Sequence, residues 1–370
     1  MSTKVLCVDH SSACGGGQIS LFRFLKNQRG LDILLIINSK NEEFLDFCQF
    51  NDIPFVKFDF SIPKLYKWIS LFFLFRRIKR DFNFDVLYAN TFEAGFWCAI
   101  LKQIYRVRMV FRARLSVCAY NHGIIDLIIY WFSDWIIANS QFVADSFTTR
   151  FGARAMDKIS VILNPVSDDA MNMSCLTRRR ANDGRFNVAI IGSISPDKGQ
   201  LIAVEAIEHL LSFYDVENVK LYIVGRAIGT AASEYLDVVK EYCVKRGLID
   251  RHVLFTGHVQ NPTSLYSDID VVVNCHPQEA LSRVVYETQY AGIPNVVADT
   301  GGNLEMVRNR VTGMVFKSGS SRDLASRLFE LHESDELYNG ISARACEQVL
   351  FCFSIVKTVD LEIAVLMGRN

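Results

Sequence analysis

Residues 271–298 read VVVNCHPQEALSRVVYETQYAGIPNVVA and contain a strand, a helix and a second strand. The apolar runs Val271–Asn274 and Asn295–Ala298 each predict a buried strand. Between them a helical stretch ends at Gly292, and Pro294 follows, which is ordinary punctuation for a helix C-terminus. Short apolar runs that alternate with helices are typical of a parallel sheet covered on both faces. The segment therefore predicts a βαβ unit.

The same alternation extends in both directions along the chain. It predicts strands at 5–8, 32–37, 55–58, 86–89, 109–111, 135–138 and 159–163, and again at 187–191, 219–224, 252–256, 271–274, 295–298 and 314–316. Each half thus predicts a doubly wound, parallel-sheet, Rossmann-like α/β domain, and a ligand cleft is expected between the two. We assign 1–168 to the first domain, 169–185 to a polar linker and 186–349 to the second domain, with the helix 350–370 returning to the first.

Composition excludes several classes of protein. The 370 residues are 50% hydrophobic, which is typical of globular chains and argues against disorder. Lysine plus arginine and aspartate plus glutamate both number 40, so the net charge of zero gives no general reason to expect a nucleic-acid partner. The ten cysteines contain no C-x-x-C pair, which argues against zinc and favours reduced thiols in a cytoplasmic protein.

Two features bear on membranes. The N-terminus begins directly with a strand and has no secretory signal pattern, and no apolar stretch approaches the roughly 20 residues of a spanning helix. Segment 64–80 mixes basic residues with aromatic and aliphatic ones. It is either a helix that contacts an anionic membrane surface or a helix packed on the N-terminal sheet.

The loop and helix at 277–287 carry two carboxylates. Ser282 is a candidate N-cap, which places Glu279 in the loop and Glu287 in the second helical turn. A carboxylate can accept hydrogen bonds from two adjacent sugar hydroxyls, and free amides at a helix start suit a phosphate. Both carboxylates can then serve one ligand. The alternative is two solvated glutamates on a surface helix.

The order of the motifs resembles glycosyltransferase family 4, whose members are retaining transferases with the two-domain GT-B fold. The likeness covers nearly the whole chain. It rests on the Glu279…Glu287 pair and on the segments at 15–17, 88–91, 137–140, 161–165, 191–199, 255–259, 266–270, 290–294 and 300–305.

The resemblance implies a nucleotide-diphosphate sugar as donor, no separate cofactor and no metal. The second domain would bind this donor and the first domain the acceptor. Glu287 would hold the ribose hydroxyls, Glu279 would lie beside the transferred sugar, and Lys198 would neutralise the diphosphate leaving group. Further donor contacts are expected from Gly16, Gly17, Ser193, Val259, Leu281 and Ser282, and acceptor contacts from Asn90 and Arg114. Without the resemblance, Lys198 would be an exposed turn lysine.

Two departures from the family pattern concern cations and histidine. The phosphate loop has Ser193 where the family usually has arginine, and Arg226 or Arg283 could supply that charge. After the strand 109–111, Arg112-Ala113-Arg114 stands where many relatives place a histidine. We count Arg112 as a catalytic candidate that grips a phosphate, with a structural ion pair as the alternative. His122 is the nearest histidine and is expected at the surface.

Two short motifs could have purely structural roles. The three glycines at 15–17 precede a helix and could let backbone approach an anion, or could form a flexible turn; Ser20 stands where a dinucleotide fingerprint needs glycine. Asp268 and Asp270 form a D-x-D pair, but they precede a buried strand, so structural turn residues are favoured over a metal site.

The sequence therefore predicts a retaining glycosyltransferase whose acceptor is a glycan or lipid-linked saccharide in bacterial surface polysaccharide assembly. The partners are a nucleotide sugar and this acceptor, with peripheral contact at the inner membrane surface kept open and nucleic acid not expected. Two alternatives remain at this point. One is a nicotinamide dehydrogenase, and the other is a non-catalytic nucleotide-sugar binding protein of the same fold.

Overall fold

The computed structural model describes residues 2–118, 122–164, 184–259, 262–352 and 354–369. The chain divides into two compact units. Unit 1 comprises Met1–Pro165 with Phe353–Asn370, and unit 2 comprises Val166–Cys352. The predicted linker 169–185, apart from Gly184 and Arg185, lies outside the described residues.

Unit 1 contains a seven-stranded sheet in the order β3-β2-β1-β4-β5-β6-β7, and every strand pair is parallel. Its strands are β1 Thr3–Asp9, β2 Leu31–Asn38, β3 Phe55–Phe58, β4 Val86–Ala89, β5 Arg108–Ala113, β6 Trp135–Ala138 and β7 Ile159–Val161. Its helices are α1 Gly16–Asn27, α2 Glu42–Phe50, α3 Lys64–Asp81, α4 Phe92–Tyr105, α5 Ile124–Phe132, α6 Gln141–Phe151 and, at the C-terminus, α12 Ile355–Met367.

Unit 2 contains a six-stranded parallel sheet in the order β10-β9-β8-β11-β12-β13. Its strands are β8 Phe186–Ile191, β9 Val219–Val224, β10 Val253–Gly257, β11 Val271–Asn274, β12 Asn295–Ala298 and β13 Met314–Phe316. Its helices are α7 Gln200–Phe213, α8 Thr230–Lys245, α9 Arg283–Tyr290, α10 Ser321–Glu333 and α11 Asp335–Cys352.

The predicted fold class of two Rossmann-like, parallel-sheet domains is confirmed, and each predicted strand is present. The strands are central and buried, so their apolar runs are strong signals. The main differences lie at strand ends. The last strand of unit 1 stops at Val161 instead of residue 163, whereas β5 continues to Ala113 and carries Arg112 within it.

The C-terminal helix is part of the unit 1 core. Val359, Val365 and Leu366 of α12 are buried in the same apolar cluster as Val5 and Leu21, which lie on β1 and α1. Burying such side chains stabilises a fold by roughly 1.5–3 kcal/mol each. Among the described helices, none is long and apolar enough to cross a bilayer.

Cysteines in the described part of the chain include several buried free thiols. Eight of the described cysteines are free, including Cys7, Cys98 and Cys275, whose thiol pKa values are raised by burial.

The strand ends of β8 and β9 approach closely because two glycines face each other. Gly225 has a φ of +149°, and a Cβ at this position would lie 1.7 Å from the carbonyl oxygen of Gly192. A side chain there would force the two loops apart. The loop that follows β8 therefore depends on Gly225.

We expect Gly225→Ala to lower the free energy of unfolding by on the order of 3–5 kcal/mol, since overlap adds to an unfavourable backbone conformation. Gly229→Ala is the matched control, because Gly229 also has a positive φ but has no atom within 4 Å of a built Cβ. The control should lose only about 1–2 kcal/mol. Urea denaturation of both variants tests this, and equal losses would contradict the steric explanation.

Candidate functional site

The loop after β8 is built around a single 3-10 turn, Pro196–Lys198. Gly199 ends this turn with a φ of +71° and begins α7. A Cβ on Gly199 would lie 2.7 Å from the Cβ of Cys275, so this glycine lets the loop pack against the end of β11. The arrangement places Lys198 beside the loop that follows β11.

The loop after β11 is held by a third segment, which follows β12. The backbone N–H of Gly302 donates to the carbonyl oxygen of Glu279 at 2.7 Å. A Cβ on Gly301 would lie 2.7 Å from the same oxygen, so the contact requires glycine. The loop after β12 thus fixes the backbone of Glu279, which lies in the loop after β11.

These loops bring Lys198 and Glu279 together. Lys198 Nζ lies 2.7 Å from Glu279 Oε2, and the two side chains are 28% and 18% exposed. A half-buried ammonium and carboxylate that share one hydrogen bond form a polar centre open to a ligand on one side. Sequence reasoning placed both residues in one site, and the structure places them in direct contact.

Glu287 lies in the second turn of α9, as expected, and is buried. Ser282 occupies the N-cap position, although its hydroxyl makes no capping hydrogen bond. Its backbone N–H donates to Asn303 Oδ1 at 3.0 Å. The expected donor contact through the Ser282 amide is therefore already satisfied by Asn303, whereas Leu281 is buried beside it.

The remaining predicted donor residues lie on two other loops of unit 2. Ser193 is exposed, and its carbonyl oxygen accepts a hydrogen bond from Gln200 Nε2 at 3.0 Å. The N–H of the next residue, Ile194, donates to the carbonyl oxygen of Arg226. The backbone of Arg226, which is one of the two arginines that could replace the missing charge at Ser193, therefore lies beside the phosphate loop. Val259 is half-buried in the loop after β10.

Sequence reasoning missed His276, which is buried between the two loops. Its Nε2 lies 3.3 Å from Asp197 Oδ2, and its Nδ1 accepts a hydrogen bond from the Gln278 N–H at 3.1 Å. Burial, followed by the charge of Lys198, lowers the pKa of this imidazole. The only sequence signal is its position two residues after Asn274, the last residue of β11.

Unit 1 has a polar cluster at the carboxyl ends of β1 and β4. Asn90 Nδ2 donates to Asp9 Oδ2 at 2.5 Å, and Gln18 Nε2 donates to the same oxygen at 3.0 Å. Arg114 donates to the carbonyl oxygen of Asn90 at 3.1 Å and also to its side chain. Burial, and then the charge of Arg112, lowers the pKa of Arg114. The two predicted acceptor residues, Asn90 and Arg114, are therefore neighbours.

The glycine motif lies beside this cluster. A Cβ on Gly17 would lie 3.5 Å from Arg114 Cδ, which is ordinary contact distance. Gly16 is exposed in the first turn of α1. Asp9 and Gln18 anchor this turn, because Gln18 contacts both Asp9 and the backbone of Gly15. The sequence analysis did not predict either residue. In the sequence, Asp9 is a carboxylate that ends the first strand, and Gln18 is an amide that directly follows the glycines.

Arg112 lies inside β5 and is 2% exposed. Its NH1 is 3.5 Å from Glu362 Oε2 on α12, and its NH2 donates to the Ile162 carbonyl oxygen at 2.9 Å. Tyr88 donates its hydroxyl to Glu362 as well, and burial, then Glu362, raises the pKa of that tyrosine. This placement favours the structural alternative for Arg112 over the catalytic one, because its charge is paired inside the core.

Two family models match the chain over most of its length. The model described as Glycosyltransferase Family 4 matches residues 15–170, and the model described as Glycosyl transferases group 1 matches residues 177–348. The chain belongs to the GT-B glycosyltransferases. This family assignment argues against the alternative that the protein is a nicotinamide dehydrogenase.

Curated relatives of this glycosyltransferase match over part of their length. The uncharacterized glycosyltransferase MJ1607 of Methanocaldococcus jannaschii is 27% identical over 43% of this chain and 40% of its own. The capsular polysaccharide biosynthesis glycosyltransferase CapM of Staphylococcus aureus is 24% identical over 46% of this chain and 42% of its own. The chain thus spans less than half the length of these relatives.

Solved structures match the fold over the full length. The crystal structure of Anabaena Alr3699/HepE in complex with UDP has a TM-score of 0.84 at 24% identity, and covers 99% of this chain and 100% of that chain. The apo lipopolysaccharide outer core galactosyltransferase WaaB has a TM-score of 0.74 at 14% identity, with 100% of both chains covered. At these identities the likeness shows the fold.

The other candidate motifs of this glycosyltransferase have structural roles or surface positions. The buried carboxylate of Asp270 accepts the backbone N–H of Asn187 at 2.7 Å, and the Asp268 carbonyl oxygen accepts from the Asn187 side chain. These contacts favour turn residues over a metal site. His122 is exposed, stacks on Phe92 with ring centroids 4.5 Å apart, and lies 3.4 Å from the buried Asp126.

We expect Glu362→Ala to destabilise the protein by about 3–5 kcal/mol, because it leaves Arg112 charged and unpaired inside the core. Asp360→Ala is the matched control, since Asp360 lies exposed on the same helix and should change stability by no more than about 0.5 kcal/mol. Chemical denaturation distinguishes the two. A Glu362→Ala variant as stable as the control would show that the buried pair is not structural.

Proposed function

We propose that this chain is a retaining, metal-independent glycosyltransferase that moves a sugar from a nucleotide-diphosphate sugar to a glycan or lipid-linked saccharide. The observation that carries the proposal is the Lys198–Glu279 pair at the carboxyl end of the unit 2 sheet, where parallel α/β sheets bind ligands. The neighbour HepE was crystallised with UDP and with UDP-glucose, which supports a uridine donor. We place the acceptor in bacterial surface polysaccharide assembly, whether capsule, O-antigen or lipopolysaccharide, and the capsular polysaccharide biosynthesis glycosyltransferase CapM supports the first of these.

The proposed donor chemistry uses charge at the leaving group. The bond from the sugar to the diphosphate breaks, the electron pair goes to the diphosphate oxygen, and negative charge grows there. Lys198 would turn from Glu279 to this oxygen, and the N-termini of α7 and α9 would add their dipoles. Glu279 would then accept from the sugar hydroxyls, and Glu287 from the ribose hydroxyls. The acceptor oxygen would attack the anomeric carbon from the same face, and its proton would pass to the departing diphosphate oxygen.

The proposed acceptor contacts lie in unit 1. The Nε of Arg114 is buried and has no hydrogen-bond partner among the described residues. Because Arg114 is held by Asn90, this nitrogen is pre-oriented. We assign Asn90 and Arg114 to the acceptor and Gly16 and Gly17 to the donor phosphates. Arg112 is left out of the proposed chemistry because it is paired with Glu362.

A non-catalytic nucleotide-sugar binding protein is the second candidate. Two observations favour it, namely that the phosphate loop exposes Ser193 where the family usually has a cation and that Arg112 cannot compensate from inside the core. The two candidates differ in turnover. Release of free UDP from UDP-glucose in the presence of an acceptor extract supports the enzyme, and binding without release supports the alternative.

We expect Lys198→Ala to lower kcat by about 100-fold to 1,000-fold, because the lysine acts on charge that develops in the transition state. Glu287→Ala should instead raise KM for the donor, since ribose binding is the same in the ground and transition states. Lys220→Ala, on β9 and outside the proposed site, is the control for a lost cation. Unchanged kinetics in the first two variants would overturn the site assignment.

Unit 1 has an apolar outer surface that we propose touches the inner membrane. Helix α3 buries Leu71, Phe75 and Ile78, so part of it packs on the sheet as one alternative predicted. Its opposite side exposes Tyr66, Ile69 and Phe73, with arginines at 76, 77 and 80. Helix α5 exposes Ile124, Leu127 and Trp131. Apolar side chains flanked by arginines suit an anionic bilayer surface.

We expect the protein to sediment with vesicles that contain phosphatidylglycerol and not with pure phosphatidylcholine vesicles. A Tyr66→Ser/Ile69→Ser/Phe73→Ser triple variant should lose most of this binding, because the buried apolar area drives insertion. Phe213→Ser/Val244→Ser removes exposed apolar side chains from unit 2 and serves as control. Binding that survives in the triple variant would place the membrane contact elsewhere.

A further inference from the structure

His276 joins the two loops that carry Lys198 and Glu279. The Gln278 N–H can only donate, so the His276 Nδ1 that accepts from it carries no proton. The proton of the neutral ring is then on Nε2, which points at Asp197 Oδ2 3.3 Å away. One tautomer of a buried imidazole thus makes both contacts.

The two partners of His276 are the chain neighbours of the ion pair. Asp197 directly precedes Lys198, and Gln278 directly precedes Glu279. The ring therefore contacts a residue on each side of the 2.7 Å pair of Lys198 and Glu279, through the side chain of Asp197 and the backbone N–H of Gln278. It is itself anchored, because its backbone N–H donates to Asn274 Oδ1 at 3.2 Å.

We propose that His276 is a positioning residue that sets the distance between Lys198 and Glu279. This inference rests on the proposed function for its catalytic consequence, but not for its structural one. His276 does not touch the donor in this scheme. It acts through Asp197 and Gln278, and a misplacement of a reacting group by about 1 Å costs on the order of 100-fold in rate.

The first test is structural and does not need turnover. Side-chain amides can replace the two contacts of His276 one at a time. The Oδ1 of an asparagine can accept from the Gln278 N–H in place of the imidazole Nδ1. The Nε2 of a glutamine can donate to Asp197 in place of the imidazole Nε2. Crystal structures of His276→Asn, His276→Gln and His276→Ala should show the Lys198–Glu279 pair broken in the alanine variant and kept most nearly in the glutamine variant. A pair that stays at about 2.7 Å in His276→Ala would overturn the proposal.

The second test is kinetic and uses UDP-glucose with the acceptor extract. We expect His276→Ala and Asp197→Ala each to lower kcat about 10-fold to 100-fold with little change in KM. The kcat of the double variant should be no lower than that of the slower single variant, since both substitutions break the same contact between His276 and Asp197. Independent, additive losses would contradict a shared bridge. His332→Asn, whose ring pairs with Glu333 on α10, is the control for loss of an imidazole.

The two tests separate two kinds of failure. If the wild-type protein releases no UDP while His276→Ala still breaks the ion pair, the proposed function fails and the positioning role stands. If the wild-type protein turns over and His276→Ala matches it in kcat, the positioning role fails and the proposed function stands.

Discussion

The contact between Lys198 and Glu279 depends on one constraint, namely that parallel strands end at the same edge of a sheet. The loops after β8, β11 and β12 meet at that edge, and glycines allow the approach at positions 199 and 301. A lysine and a glutamate 81 residues apart are thereby brought to hydrogen-bond distance. The energetic value of such a half-exposed pair is small. In the proposed mechanism, its importance lies in holding a cation and a carboxylate where a charged ligand can replace either partner.

Unit 1 contains an ion pair that is buried in the core instead of partly exposed. Arg112 and Glu362 are fully enclosed, and removing water from both charges offsets much of their attraction. The pair does fix α12 against the sheet, because Tyr88 and Asn164 share its hydrogen bonds. The helix that ends the chain thereby completes the core of the unit that begins it. The neighbouring Arg114 is only half-buried and is held by Asn90, so we assign the proposed acceptor chemistry to these two residues.

The strands could be predicted because each is a short apolar run between helices. The site could be predicted only in part. Lys198, Glu279 and Glu287 lie in motifs with recognisable order, whereas His276, Asp9 and Glu362 acquire their roles from contacts between distant segments. Tyr88 and Glu362 are 274 residues apart, so no local pattern shows that Arg112 is neutralised. The available signal was Glu362, one of two carboxylates in the largely apolar segment 355–367. Likewise, the sequence predicts a free backbone amide at Ser282, whereas in the structure this amide donates to Asn303, which lies 21 residues further along the chain.

We propose that unit 2 binds a nucleotide diphosphate through Lys198 and Glu287 without metal. The most direct test is calorimetric titration with UDP, GDP, ADP and CDP, each with magnesium and with chelator, on the wild-type protein and on Glu287→Ala. We expect one nucleotide to bind the wild-type protein equally well in both buffers, and we expect this binding to be lost in Glu287→Ala. Binding that requires magnesium, or that is unchanged in Glu287→Ala, would contradict it.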